Sequence, residues 1–240
     1  MSKPPRRHTD AKRSVHGASK SGKRAAVKAG GRAGSKTKTR GPSARATKRH
    51  PGRRTRTAFT CHAIPRTATI AFDAQPGGWE RLDLTFSVGT PPPGISEAAF
   101  STIVRRALQI WREAVPFVFT EDVGGGTLSV TSVPLQHGDG FDFTATSPEL
   151  GHGFGPATGG GTLDGQVHLN DTKTWADGTG ADADVLTVVL HELGHALGIV
   201  NHLDGTQTVM NGSFAPGLVR RELAPADIAA IQALYAAVMT

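Results

Sequence analysis

The sequence is poor in cysteine and in long apolar segments. Its 240 residues include one cysteine, Cys61, so an intrachain disulfide is excluded. The cysteine content therefore does not indicate an oxidising or a reducing compartment. No apolar run approaches the roughly 18 residues of a transmembrane helix, so we expect no membrane span. The N-terminus also lacks the apolar core, about 7–15 residues long, of an ordinary secretory signal.

The first part of the chain lacks the residues that build a core. Residues 1–57 contain no Leu, Ile, Phe, Trp or Tyr, but they hold 19 Lys/Arg and one acid, Asp10. They cannot bury enough apolar surface to offset the entropy of ordering, so we predict a disordered basic N-terminal arm. Such an arm binds polyanions weakly and in a salt-dependent way, or it is a solvated tail without a specific partner.

The composition changes near Phe59, and the remainder is acidic. Residues 58–240 hold 8 Lys/Arg and 19 Asp/Glu, although the whole chain has a formal charge of +7. We therefore divide the chain into the arm, a linker or propeptide remnant at 58–71 that carries Cys61, and a folded domain at 72–240. The last segment is long enough for one proper core.

Hydrophobic periodicity in the folded domain predicts strands first and the main helices later. Strands are expected at 82–88, 117–120, 128–133 and 166–170, and helices after Ser96, after Asp182 or Asp184, and near Pro225. Residues 134–165 are rich in glycine and read mostly as loop. The pattern predicts an α/β domain that combines a sheet with helices.

The chemistry centres on His191-Glu192-Leu-Gly-His195, an H-E-x-x-H motif. On a helix, residues i and i+4 share one face, so His191 and His195 can bind one metal ion. Glu192 can then reach a metal-bound water as a general base, as zinc peptidases require. The alternative is a buried helix with two satisfied histidines. Gly198 suits the end of this helix, because glycine tolerates a left-handed turn.

The third ligand departs from the metzincin pattern by one residue. H-E-x-x-H-x-x-G-x-x-H places a histidine ten residues after the first, and here Asn201 stands at that position with His202 beside it. Either Asn201 binds through its carbonyl oxygen, or His202 is the ligand. Spacing to Met210, in a segment that looks like a metzincin Met-turn, favours His202.

A second group of metal-binding residue types lies in the loop-rich middle of the domain. Three histidines and one carboxylate suit a closed tetrahedral site of the structural kind. Its members are His137, Asp139, His152 and His168. A segment with few apolar residues gains order from such a site. The alternative is that these histidines are merely exposed in loops.

Together these segments resemble the catalytic domain of the matrixins, the matrix metalloproteinase family of metzincins. The motifs are Trp79–Phe86, His137-Gly-Asp139, Leu150–Phe154, Gly165–Asn170, the zinc helix and Leu223–Tyr235. The resemblance covers about 160 residues. It implies a five-stranded, mostly parallel twisted sheet with three helices, a catalytic zinc, a structural zinc and usually calcium.

The resemblance also implies an activity, zinc-dependent endopeptidase, with protein or peptide substrates, and we expect a monomer. Glu192 takes a proton from the attacking water, and Met210 forms a packing floor under the ligands. Phe214 takes the position of the aromatic residue that lines the pocket after the scissile bond. The family suggests an extracellular location, although no ordinary signal is visible. The alternative function is a polyanion-binding protein that uses the arm, with the metzincin domain as scaffold.

Two departures from the family bear on calcium and on latency. Asn170 and Lys173 stand where the matrixins have acidic calcium ligands, and a cation at Lys173 opposes Ca²⁺. In matrixin zymogens a propeptide cysteine occupies the open zinc position. Cys61 precedes Trp79 by 18 residues, close to the family spacing, but its surroundings match the family motif poorly. Cys61 is therefore either such an inhibitory switch or an unremarkable thiol.

Overall fold

The structure, a computed structural model, describes residues 59–63, 77–156, 161–180 and 182–240. The predicted arm at 1–57 and most of the 58–71 linker lie outside the described residues. The elements in chain order are β1 (Phe59–Ala63), β2 (Asp83–Val88), α1 (Glu97–Ala114), β3 (Val118–Glu121), β4 (Leu128–Val133), β5 (Glu149–Gly153), β6 (Gln166–Asn170), β7 (Trp175–Ala176), β8 (Ala183–Asp184), α2 (Val185–Ala196), β9 (Ser213–Phe214) and α3 (Pro225–Tyr235). The described part thus contains the three expected helices.

The main sheet has the strand order β3-β2-β4-β6-β5-β1-β9. Its first five strands form the predicted, mostly parallel sheet, in which only β5 runs antiparallel to its neighbour β6. β1 then pairs in parallel with β5, and β9 pairs antiparallel with β1. The mixed α/β fold expected from the sequence is confirmed, and β1 and β9 extend the sheet beyond it.

Helix α1 packs on the sheet through an apolar stripe and touches α2. Ser96 is its N-cap, as predicted, and accepts a hydrogen bond from the Ala99 N–H at 3.2 Å. Near the other end the buried Trp111 indole donates to the Leu190 carbonyl at 2.9 Å. Because that carbonyl belongs to α2, one side chain fixes the position of the helix that carries the H-E-x-x-H motif.

The described residues between 134 and 165 are mostly loop, as predicted, apart from β5, which the sequence pattern did not indicate. Its sequence, Glu-Leu-Gly-His-Gly, has two glycines, which lowers its intrinsic preference for a strand. The sheet nevertheless needs glycine here, because a Cβ on Gly153 would collide with the Glu192 carbonyl. β5 therefore lies against the backbone of α2, at a distance that other residues do not allow.

The end of α2 is held by the first and last described segments of the domain. The Tyr235 hydroxyl donates to the Leu197 carbonyl at 2.8 Å and accepts from the Trp79 N–H at 3.0 Å. The Trp79 indole donates to the Ala196 carbonyl at 3.1 Å. These contacts fix the turn after the motif helix. Among the described helices, none combines the length and apolar character that crossing a membrane requires.

Candidate metal centres

Helix α2 places His191, Glu192 and His195 in the interior of the domain. It begins after Asp184, whose carboxylate accepts from the Thr187 N–H at 3.1 Å, so the second of the two predicted caps is the observed one. Every residue of α2 is buried. The chain turns at Gly198 with φ of 111°, a conformation that glycine adopts without strain, as the sequence predicted.

The two histidines of α2 turn one nitrogen each toward a common point. The Nδ1 atoms of His191 and His195 lie 2.6 Å from the carbonyls of Val209 and Ile199, which accept hydrogen bonds only. Each Nδ1 therefore carries the proton, and the two Nε2 atoms, 3.1 Å apart, face each other as lone pairs. Burial lowers the pKa of both rings, that of His195 to about 4, so both rings are neutral at pH 7, the form in which histidine can bind a metal.

His202 and Cys61 complete this cluster, which we call the α2 centre. Donor atoms of Cys61, His191, His195 and His202 all lie within 4.8 Å of one another. The His202 ring centroid is 5.3 Å from both other histidine rings, and His202 is exposed, like its neighbour Asn201. Nitrogen and sulfur donors in this number suit zinc. The donor set thus fits a zinc ion with three protein nitrogens and one further position.

Cys61 reaches the α2 centre from strand β1. Its N–H donates to the Gly212 carbonyl at 3.3 Å, and the pairing of β1 with β5 shifts register at this residue. The side chain is 5% exposed, so the thiol is in the interior of the domain. Burial, followed by the neighbouring Glu192 carboxylate, raises the pKa of Cys61 well above its ordinary value. A bound cation would reverse this preference, since metals bind the thiolate.

Glu192 is fully buried beside these donors. Neither carboxylate oxygen has a hydrogen-bond partner among the described residues. Burial raises the pKa of Glu192 to about 8. A buried, unpaired carboxylate is costly to the fold, and such groups are typical of sites where a ligand, a water or a proton completes the bonding.

The segment that resembles a Met-turn lies against α2 and is held by an acid to which the sequence pattern assigned no role. Met210 is buried, and its N–H and that of Val209 donate to the Asp227 carboxylate at 3.1 and 2.9 Å. Asp227 also accepts from the Ala224 N–H at 2.8 Å, at the start of α3. An acid in the first turn of a helix is a capping signal in the sequence, but nothing there shows that it reaches the Met-turn.

The four residues of the second predicted group also meet, in what we call the β5–β6 centre. Asp139 Oδ2 lies 2.8 Å from His137 Nε2, 3.0 Å from His152 Nε2 and 2.9 Å from His168 Nδ1. His152 Nε2 is 3.3 Å from His137 Nε2 and 3.2 Å from His168 Nδ1. In a tetrahedron with zinc–nitrogen bonds of about 2.0 Å, ligands are about 3.3 Å apart, so the observed spacing fits zinc.

The outer ring nitrogens of the β5–β6 centre are occupied as a metal site requires. His137 Nδ1 lies 3.0 Å from the Pro134 carbonyl, and His168 Nε2 lies 3.0 Å from the Gln166 amide oxygen. His152 Nδ1 is 3.3 Å from the carboxylate of Glu149, and no pattern in the sequence predicts this contact. Burial lowers the pKa of His168 to about 4. The inner nitrogens are therefore lone pairs directed at one point.

Comparison with known proteins agrees with this geometry. A sequence model of the family described as Matrixin matches residues 78–236, which is most of the described domain. Both donor clusters apart from Cys61 lie inside the match. The region before residue 78 is outside it.

Individual relatives are similar over the same region. The chain is 32% identical to mouse stromelysin-3 over 160 residues, which is 66% of this chain and 32% of that protein. It is 32% identical to human neutrophil collagenase over 159 residues, 65% of this chain and 33% of the relative. Rat matrilysin is 30% identical over 175 residues, 72% of this chain and 64% of the relative. The chain thus spans about a third of the length of the first two.

Proposed function

The chain belongs to the matrixin family of zinc metalloendopeptidases, and we propose that it hydrolyses peptide bonds in proteins at the α2 centre. The observation that carries this proposal is the convergence of the lone pairs of His191 and His195, with His202, beside the buried and unpaired Glu192. Three protein ligands with one further position are typical of catalytic zinc, whereas structural sites are closed.

In the proposed mechanism Glu192 handles the proton. His191, His195 and His202 would hold a zinc ion, which would supply a polarising charge and a water of pKa about 7. Glu192 accepts the proton of the attacking water and gives it to the leaving amine. Met210 supports the ligands from below, and Phe214, whose ring lies 5.2 Å edge-on from that of His191, lines the pocket after the scissile bond.

We assign a structural zinc to the β5–β6 centre. His137, Asp139, His152 and His168 would form a closed site without a position for water. The segment between β4 and β6 contains mainly loop and the glycine-rich β5, so a metal that ties its parts together gives it order.

We further propose that Cys61 supplies the fourth ligand of the α2 centre in a latent form. β1 lies between β5 and β9, where it covers the cluster, and its thiol is among the donor atoms. Residues 1 to about 70 would then be a propeptide, consistent with a folded peptidase domain from about residue 72. We also propose a monomer outside the cell, as the family resemblance suggests.

The choice of third ligand gives a direct prediction for metal content. We expect His202→Ala, made in the Cys61→Ser protein, to lose zinc from the α2 centre, because only the two histidines of α2 remain as ligands, while Asn201→Ala in the same protein keeps it. Zinc per chain in both variants is measured by mass spectrometry or atomic absorption after dialysis. The reverse pattern, with zinc lost only from Asn201→Ala, would transfer the ligand role to Asn201.

The residues at the family's calcium position do not fit Ca²⁺. The Lys173 ammonium donates to the Ser147 carbonyl, and the Glu149 carboxylate attracts its charge. Asn170 is buried and uses its amide group within the protein, donating to the Glu149 carbonyl at 3.1 Å and accepting from the Thr172 hydroxyl at 2.7 Å. A positive charge already stands where calcium would need oxygen ligands.

We therefore expect calcium to leave the Tm of the zinc-loaded protein unchanged. Lys173→Met should lower the Tm by about 2–4 °C, because the Ser147 carbonyl and Glu149 lose their cationic partner. In the double variant Asn170→Asp/Lys173→Glu, millimolar calcium should raise the Tm. Calorimetry at constant zinc measures all three, and a calcium-dependent rise in the parent protein would show that calcium does bind.

The alternative function, polyanion binding with the domain as scaffold, rests on the basic composition of residues 1–57, outside the described residues. The intact Glu192 favours an enzyme, since a scaffold does not need a buried, unpaired carboxylate. A casein assay with and without a zinc chelator separates the two functions. Hydrolysis that stops with the chelator and returns with zinc supports the peptidase, and none under any activating condition supports the scaffold.

A further inference from the structure

A buried arginine lies against Phe214 and strand β9, beside the α2 centre. Arg220 is 8% exposed, although arginine is rarely buried unless it is paired. No carboxylate of the described residues forms an ion pair with it, and burial lowers its pKa. We propose that Arg220 is a positioning residue for peptide hydrolysis, which fixes the substrate-binding wall through β9 and Phe214; this rests on the proposed function above.

The guanidinium is satisfied by backbone carbonyls from two separate segments. Its Nη1 donates to the carbonyls of Asn211 and Ser213, both at 3.2 Å. Its Nε donates to the Thr206 carbonyl at 3.1 Å, in the loop that follows His202. Only arginine offers several donors in a planar fork of this width, so one side chain links the His202 loop to the segment after the Met-turn.

The segment that Arg220 holds is the one against which an extended chain pairs. Ser213 and Phe214 form β9, which pairs with β1 at Thr60 and Phe59. β1 thus lies as an extended peptide between β5 and β9. A substrate that replaces it would meet the same two strands by strand addition. Arg220 therefore supports the binding surface without lying in the reacting cluster.

Arg220 also contacts the aromatic residue of that wall. Its guanidinium carbon lies 5.9 Å from the centroid of the Phe214 ring, within the range of a cation–π interaction. Arg220 is also attached to α2, because its backbone N–H donates to the Thr187 hydroxyl at 2.9 Å. The position of Phe214 relative to the metal ligands is thus fixed from both helix and loop.

The next residue provides a matched control. Arg221 pairs with Asp177 at 2.6 Å and with Asp184, and its side chain is 32% exposed. Asp184 is the N-cap of α2 and Asp177 follows β7, so neither partner belongs to β9 or to the loop after His202. Removal of the Arg221 guanidinium should therefore reduce stability and leave substrate binding unchanged.

The test compares Arg220→Met, Arg220→Lys and Arg221→Met in full-length zinc-loaded protein that also carries Cys61→Ser. Peptides that differ only in the residue after the scissile bond serve as substrates. We expect Arg220→Met to raise KM roughly tenfold or more while kcat stays within about threefold of the parent. This pattern is expected when a substitution weakens binding of the substrate and of the transition state equally. The increase should be larger for a leucine than for a glycine at that residue. Arg220→Lys should recover part of the loss, and all variants should retain zinc.

The outcomes separate this inference from the function on which it rests. No hydrolysis by the Cys61→Ser protein contradicts the proposed function itself. Hydrolysis by that protein, with the same KM in Arg220→Met or an equal KM increase in Arg221→Met, overturns the role of Arg220. If Arg220→Met does not fold, Arg220→Lys is used for the test instead, because lysine keeps the buried positive charge but lacks the planar set of guanidinium donors. A parent-like KM for Arg220→Lys with both peptides would then overturn the proposal.

Discussion

Glu192→Ala should lower the kcat of peptide hydrolysis by roughly 10²–10⁴-fold, the range of general acid–base catalysis, while zinc content and fold are kept. The physical reason is the position of this carboxylate. It is fully buried beside the proposed ligands His191 and His195, and neither of its oxygens has a hydrogen-bond partner among the described residues, so they are available to take the proton. Its removal takes a buried polar group without hydrogen-bond partners out of the interior, so no loss of stability is expected.

The measurement is steady-state hydrolysis by a protein activated by removal of the propeptide or by Cys61→Ser. Zinc per chain and the Tm are determined on the same preparation. Glu222→Ala serves as the control, because Glu222 is exposed and should keep the parent kcat. Turnover by Glu192→Ala that remains within tenfold of the parent would rule out Glu192 as the general base.

Cys61→Ser should convert a latent full-length protein into an active one without processing. The thiol lies among the donor atoms of the α2 centre, and β1 covers the place of an extended substrate between β5 and β9. Thiolate binds zinc far better than a serine hydroxyl, so the substitution weakens the hold of β1 on the metal while the strand pairing remains. We expect an increase of at least tenfold in the activity of unprocessed protein.

The parent protein is the control for this prediction. It should be inactive until it is cleaved between β1 and Gly77 or treated with a thiol-reactive mercurial, which removes the thiolate from the metal. Mercurial treatment should have no effect on Cys61→Ser. Equal activity of the two unprocessed proteins would mean that Cys61 is an unremarkable thiol after all.

The parts of the fold that follow from local pattern could be predicted from the sequence. β4 and β6 were expected at 128–133 and 166–170 and have those bounds, because alternating or continuous apolar residues mark them. Ser96 and the turn at Gly198 follow from capping chemistry. The H-E-x-x-H spacing likewise places both histidines on one helix face, since it depends on helix geometry alone.

The parts that depend on contacts between distant segments could not be predicted. β5 has two glycines and is a strand because it pairs with β6 and packs against α2, which no local pattern reveals. Cys61 matches the family motif poorly, and its burial among the metal donors follows from strand pairing with β5 and β9. Asp227 and Arg220 act through backbone groups of other segments, and backbone groups leave no mark in a sequence.

Zinc-edge anomalous diffraction from crystals of the full-length chain is the most direct test of a catalytic metal at α2, because it locates zinc and its ligands together. We expect two peaks. One lies within about 2.0–2.3 Å of the donor atoms of Cys61, His191, His195 and His202, and the other at the same distance from the donors of the β5–β6 centre. A zinc-loaded crystal without a peak between His191 and His195 would contradict the assignment of a catalytic metal to α2.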